Sequence, residues 1–225
     1  MGNSRMRRCQ LDQSCVFAED LGDLNWMRQR YDVNGNPTIV NSPLGLASSF
    51  DGVNDRYDVG YHQISLPAAT YVEFSVCVWV LFNTIEDGAG ENNHLVSDWN
   101  TWNPGGQQGF SLMASHTGAL PEFDVCDGTN YNSATVGSTV LDTGVWYHMA
   151  GTFNAGATRV YLDGVEEDLT ATGFASIELE KTTDITIAWG GVTAGYTDAV
   201  ISNVLMYTRE LTAAEIADLA SGDAF

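Results

Sequence analysis

Three carboxylates fall on one short segment, "PEFDVCD", where Glu122, Asp124 and Asp127 are spaced Glu-x-Asp-x-x-Asp. Two carboxyl groups about 5–5.5 Å apart are what retaining glycoside hydrolysis requires, one as nucleophile and one as acid. On an extended strand residues 122 and 124 share a face, and only a bulge brings 127 round to it. Asp127 also opens the turn "CDGTN", and Glu122 follows Pro121 near a turn. The expected reading is solvated strand acids, with catalysis as the alternative.

A second constellation is the stretch "SDWNTWNPGGQQG", residues 97–109. Trp99 and Trp102 stand there among Asn100, Asn103, Gln107 and Gln108. Indole faces stack on sugar rings while amides satisfy hydroxyls, so these residue types suit a glycan platform. Tyr131, between Asn130 and Asn132, can add to it. The competing reading is a tryptophan that caps a core, since Trp is highly buried on average.

Other chemistries lack their residues. His148 alternates with Trp146 on one strand face and reads as a structural histidine rather than a base. No Ser or Cys carries a nucleophile motif, and no glycine-rich phosphate loop is present. Cys9, Cys15, Cys77 and Cys126 have no zinc spacing. Cys77 and Cys126 lie in apolar runs and read as buried thiols, and a Cys9–Cys15 bridge is compatible with the spacing.

Strands must position these groups. "VWYHMAGTFNAGATRVYLDGVEE" alternates twice, with breaks at "NAGA" and at Asp163-Gly164, a dipeptide able to take the φ > 0 positions of a two-residue hairpin. "YVEFSVCVWVLFN" is apolar on both faces, with Phe74, Val76, Val78, Val80 and Phe82 on one and Cys77, Trp79 and Leu81 on the other. Such a strand belongs in the middle of a sandwich or beneath a covering loop. One helix is predicted, at the C-terminus. Thr212 and Glu215 form its capping box, Leu211 and Ile216 its staple, and Gly222 its stop.

Charge narrows the partners. The net charge is −20, from nine Lys plus Arg against 29 Asp plus Glu. The first 30 residues are nearly balanced, with Arg5, Arg7, Arg8, Arg28 and Arg30 against four acids. The rest of the surface repels nucleic acid and anionic membranes, so neither is expected as a partner. No apolar run reaches the roughly 20 residues of a membrane span, and no export signal is visible behind the basic start.

In this order, "SSFDGVNDRYDVG", "VEFSVCVWV", "GFSLM", "LDTGVWYHMAGTFNAGATRVYLDGVEE" and "ISNVLMYTRELTAAEIADL" resemble the laminin-G-like, concanavalin-A-like family of jelly-roll domains, which includes the pentraxins. The resemblance spans about residues 47–220. It implies an all-β, antiparallel two-sheet jelly-roll sandwich over residues 46–225, behind an N-terminal arm and first strand or loop over residues 1–45. Such domains usually bind carbohydrate, protein or calcium. "PEFDVCD" resembles the catalytic strand of one retaining glycanase family of this fold, with Asp127 where that family has Glu. In related jelly rolls a structural calcium joins an early acid to the final strand, which makes Asp198 the candidate here, with Asp32 or Asp51 as partner. Asp51 has a second reading as a cap of its own turn. The usual Phe-Asp-Gly before the last strand is replaced by Thr197, Asp198 and Ala199, and "GGVTAGYTD" is too short for the pentraxin double-calcium loop.

The expectation is a non-enzymatic recognition module for a glycan or cell-surface polysaccharide. Made in the cytoplasm without an export signal, it is expected to face outward on an assembled particle such as a phage or virus virion. The Arg-bearing arm would be held there by a capsid or other virion protein, and a homo-oligomer fits the same role. The alternatives are a capsid decoration or cement protein without a ligand, and a sandwich glucanase using Glu122 and Asp127.

Overall fold

The computed structural model describes residues 14–19, 21–60, 70–86, 92–98, 108–129, 131–173, 175–179, 184–191 and 195–222, with the side chains at 19, 26, 108 and 131–134 excepted. In chain order the elements are β1 (Cys15–Glu19), α1 (Leu24–Arg30), β2 (Asp32–Asn34), β3 (Thr38–Ser42), β4 (Gly45–Asp51) and β5 (Arg56–Val59). Then come β6 (Thr70–Tyr71), β7 (Glu73–Phe82), β8 (Asn93–Ser97), β9 (Gln108–Ala114), β10 (Pro121–Asp127) and β11 (Tyr131–Val136). The remainder holds β12 (Trp146–Asn154), β13 (Ala157–Leu162), β14 (Val165–Ala171), β15 (Ile177–Glu178), β16 (Ile185–Ile187), β17 (Asp198–Tyr207) and α2 (Ala213–Ala220).

Two large antiparallel sheets form a sandwich. The first runs β14-β13-β12-β7-β17-β4-β3, with β1 also pairing to β17. The second runs β11-β10-β9-β8-β16-β5-β2. Between them lies one apolar core, built from the inward residues of both. At the centre of the first sheet, β7 contributes Phe74, Val76, Val78, Val80 and Phe82, all fully buried. Its opposite face is apolar because it too is covered. Cys77 packs with Ala150, Tyr161, Leu205 and Tyr207 beneath Leu211, Ile216 and Leu219. The cover is the C-terminal helix rather than a loop.

Local sequence sets these junctions. Asp163 and Gly164 take φ of 49° and 83°, so the β13–β14 hairpin has the two left-handed residues its composition predicts. Helix α2 starts with the reciprocal capping box of Thr212 and Glu215. Arg209 Nη2 donates to Glu215 Oε1 at 2.7 Å. That hydrogen bond is the main cause that holds the Glu215 carboxyl at about 2, well below the ordinary carboxylate range. Thr212→Ala is expected to cost about 1 kcal/mol in urea unfolding; a loss near zero would mean that the cap does not hold the helix.

The first residues described are part of the sandwich. Phe17, Leu21 and Met27 are buried in the main core. β2 joins the second sheet and β3 the first, so the boundary expected between residues 45 and 46 falls within β4. Cys15 is disulfide-bonded. Cys77 and Cys126 are buried free thiols, which leaves Cys9, outside the described residues, as the remaining cysteine of four.

Two contacts tie the sheets at specific points. Thr135 on β11 and Thr158 on β13 share a buried hydroxyl hydrogen bond. Gly151 on β12 faces the Phe123 ring on β10 so closely that a Cβ at 151 would lie 2.3 Å from ring carbons.

Candidate functional site

The second sheet has one greasy face and one polar face. Tyr57, Val59, Ile185, Ile187, Phe110, Leu112, Phe123 and Val125 point into the core. Alternation then sends Arg56, Asp58, Thr186, Ser111, Glu122 and Asp124 outward. Register lines six of the outward residues into one row. Asp32 lies opposite Asp58, Asp58 opposite Thr186, and Thr186 opposite Ser97. Ser97 is opposite Ser111, and Ser111 opposite Asp124. Every member carries a hydroxyl or carboxylate. Five inter-strand steps make the row about 24 Å long.

One end of the row is open and the other is closed. Asp32 is exposed and Asp58 half-buried, whereas Ser97, Ser111 and Asp124 are no more than 1% exposed. At the closed end His94 Nδ1 lies 2.6 Å from Ser111 Oγ. Burial pushes His94 down to about 4, so its imidazole is neutral at pH 7. A neutral, sealed histidine beside a sealed serine is a weak nucleophilic pair. Burial, joined by the charges of Asp124, Asp127 and Asp98, pushes the Cys126 thiol up and keeps it protonated.

At the open end three side chains form a half-exposed cluster. Trp189 and Tyr196 form an isolated bridge between their backbones. Their rings stack at 6.0 Å between centroids and 22° between planes. The Arg56 guanidinium lies 4.3 Å from the Trp189 ring centroid. Its Nε donates to Asp58 Oδ1 at 2.8 Å, and its Nη1 donates to the Tyr196 hydroxyl at 2.8 Å. Asp58 Oδ2 accepts from Asn34 Nδ2 at 2.6 Å. The backbone before Trp189 turns at Ala188, whose φ is 66°. Thr186 Oγ1 donates to the Trp189 carbonyl at 2.6 Å and so fixes that turn to the row.

The residues singled out in the sequence are placed as follows. Trp99, Asn100, Trp102, Asn103 and Gln107 lie outside the described residues. Tyr131 is on β11 opposite Cys126. Glu122 and Asp124 share the outer face as expected, but at 6% and 1% exposure they are buried rather than the solvated acids expected of them. The register of β10 with β9 runs unbroken from Pro121 to Asp127. The bulge lies toward β11 instead, between Phe123 and Val125, so alternation puts Asp127 on the face opposite Glu122. Asp127 Oδ1 accepts from the Thr129 amide at 2.8 Å and caps its turn.

Of the metal candidates, Asp51 and Asp198 are register partners across β4 and β17. Asp198 accepts from Asn83 Nδ2 at 2.7 Å and from Thr84 Oγ1 at 3.3 Å. Asp51 Oδ1 accepts from the Val53 and Asn54 amides, which holds its carboxyl below the ordinary range. Asp32 belongs to the second sheet. Among the described residues no group of three or more His, Cys, Asp or Glu is arranged to hold a metal ion. The structure therefore brings Asp198 beside Asp51, one of the two partners expected for it, and leaves Asp32 on the other sheet.

Sequence reasoning missed Arg56, Trp189 and Tyr196. The available signal was a tryptophan one residue beyond the strand "ITI" and directly before Gly190-Gly191.

Comparison with known proteins agrees with the architecture. The family model described as the concanavalin A-like lectin/glucanases superfamily matches residues 54–217. No curated protein matches the chain. Domain 4 of AbnA, a GH43 extracellular arabinanase from Geobacillus stearothermophilus solved in complex with arabinotriose, superposes with a TM-score of 0.66 at 16% identity, covering 92% of this chain and 100% of that one. The binding domain of Paraclostridial Mosquitocidal Protein 1 gives 0.67 at 15% identity, covering 92% of this chain and 52% of that one. The binding domain of botulinum neurotoxin serotype D gives 0.63 at 15%, covering 93% and 51%. The chain thus spans about half of each toxin binding domain. At such identities the likeness is one of fold. The family match, over most of the length, makes the chain a member of the concanavalin A-like lectin/glucanase superfamily.

Proposed function

We propose that the protein is a recognition module that binds carbohydrate and does not cleave it. The observation that carries this reading is the oxygen-bearing row across the second sheet, open to solvent at its Asp32 end. At that open end Asp32 and Asp58, with Arg56 beside them, offer hydrogen-bond partners to a polyhydroxylated chain, while Thr186, Ser97, Ser111 and Asp124 lie buried behind them. The structural neighbours support it, one bound to arabinotriose and others named as binding domains. Against cleavage stand the burial of Glu122 and Asp124 and the opposite facing of Asp127. Trp99, Asn100, Trp102, Asn103, Gln107 and Tyr131 belong to the proposal as a second contact, since residues 98–107 join two strands of the row.

The test is an array of immobilised oligosaccharides combined with a digestion assay on soluble polysaccharides. Retention of at least one glycan, with no release of reducing ends, is the expected result. Glu122→Gln should then leave retention unchanged. Turnover that disappears in Glu122→Gln would establish the glucanase alternative.

The proposal extends to outward display on an assembled particle such as a virion. Three of the nine basic residues, Arg5, Arg7 and Arg8, fall within the first eight positions of the sequence, and suit an acidic partner surface. Removing residues 1–8 takes away Arg5, Arg7 and Arg8 and retains Cys9, β1 and α1 in the chain. The truncated chain should fold and fail to co-sediment with particles; undiminished incorporation would rule out an anchoring arm.

A further inference from the structure

We propose that Trp189, Tyr196 and Arg56 form a stacking subsite for an uncharged sugar ring, an inference that rests on the carbohydrate reading and specifies its ligand. Two aromatic rings within 22° of parallel, both partly exposed, stand with the Arg56 guanidinium over them at the open end of a polar row. Apolar faces flanked by a few fixed polar groups are how sugar sites combine stacking with orientation. The rings are not free to rotate away. Their backbones bridge each other, Thr186 holds the Trp189 carbonyl, and Arg56 ties the Tyr196 hydroxyl.

Arg56 supplies the orienting donors. Its Nε is committed to Asp58 and its Nη1 to Tyr196, and its Nη2 makes no hydrogen bond to a described residue. A planar guanidinium with one edge left over can donate to a pair of neighbouring hydroxyls or to a carboxylate. Charge decides between these. Asp58 neutralises Arg56 at 2.8 Å, and Asp32 stands directly opposite Asp58. The cluster is therefore net negative within a molecule of charge −20. A sialylated or uronate glycan meets repulsion there, and a neutral pentose or hexose does not.

The experiment uses the whole chain on an array of neutral, sialylated and uronate-containing oligosaccharides, followed by titration of the best binder. Expected is binding confined to neutral glycans. Trp189→Ala should weaken it at least about tenfold, which corresponds to 1.4 kcal/mol. Tyr196→Phe keeps the ring and should change affinity by less than about threefold. Thermal midpoints establish that each variant folds. Should Trp189→Ala not fold, Tyr196→Ala and Arg56→Lys carry the same test, each expected to weaken binding. Glycan binding unaffected by these substitutions overturns the subsite and leaves the carbohydrate reading standing, as does a preference for sialylated or uronate glycans. Failure of the unmodified chain to bind any glycan overturns the carbohydrate reading, and the subsite falls with it.

Discussion

Gly151→Ala is expected to destabilise the protein by about 2–3 kcal/mol, the upper part of the range for a methyl forced into a packed core. The substitution is informative because elementary backbone physics points the other way. A strand glycine without positive φ normally gains stability on becoming alanine, by about 0.4–1 kcal/mol, through the loss of unfolded-state freedom. Here the methyl would sit 2.3 Å from Phe123 ring carbons, and Phe123 is fully buried in the opposite sheet. Neither sheet can retreat cheaply, because the Thr135–Thr158 hydrogen bond crosses between them. The thermal midpoint should fall by roughly 5–10 °C for a chain of this size. Adding Phe123→Leu should recover part of the loss non-additively. A raised midpoint in Gly151→Ala alone would show that the sheets do not approach as described.

The second large effect is a loss of stability in mild acid, set by two sealed histidines. Burial pushes His148 down to about 3 and His94 to about 4, against an unfolded value of 6.5. Both stay neutral when folded while the unfolded chain takes up a proton at each. Stability is then fully present above pH 6.5 and declines as pH falls from there toward the folded values. At pH 5 each histidine accounts for about 2 kcal/mol of that decline, from 1.5 pH units at 1.36 kcal/mol each. Glu215, held at about 2, is depressed from 4.5, so its stabilisation fades only at lower pH. Between pH 6.5 and 5 the histidine effect stands apart. His148 is 1% exposed, its two ring nitrogens have no hydrogen-bond partner among the described residues, and its ring lies 5.5 Å from that of Trp79. His148→Leu should therefore match or exceed the parent at pH 7 and roughly halve the decline by pH 5. Urea midpoints across that range check it, and an unchanged pH slope in the variant would refute a neutral buried His148.

How far these features were legible depended on range along the chain. The β12–β14 meander follows from local alternation and the Asp163-Gly164 turn, and α2 from a capping box within four residues. The two-sided burial of β7 was visible in composition; its second cover was not, because a helix docking on Cys77 and Tyr161 is a tertiary event. The polar row defeats sequence inspection for a different reason. Asp32, Asp58, Thr186, Ser97, Ser111 and Asp124 come from six strands whose spatial order differs from their chain order. Nothing in any one of these segments names the residue that stands across from it. Arg56 and Tyr196 are 140 residues apart, joined only because β5 pairs with β16. Asp127 shows the opposite case: its motif spacing was readable, yet the bulge that would have brought it to Glu122 lies on the other side of β10.

Ser14 accepts a hydrogen bond from the Thr208 amide at 2.9 Å, and Gly222 sits beside Leu44 in the β3–β4 hairpin. Both described ends thus belong to the sheet that α2 seals. A tether or biosensor linker that reaches the sandwich through residue 14 or residue 222 thus meets the sheet opposite the one that carries Asp32 and Arg56, so immobilisation chemistry can be chosen for convenience without blinding the surface it is meant to report on.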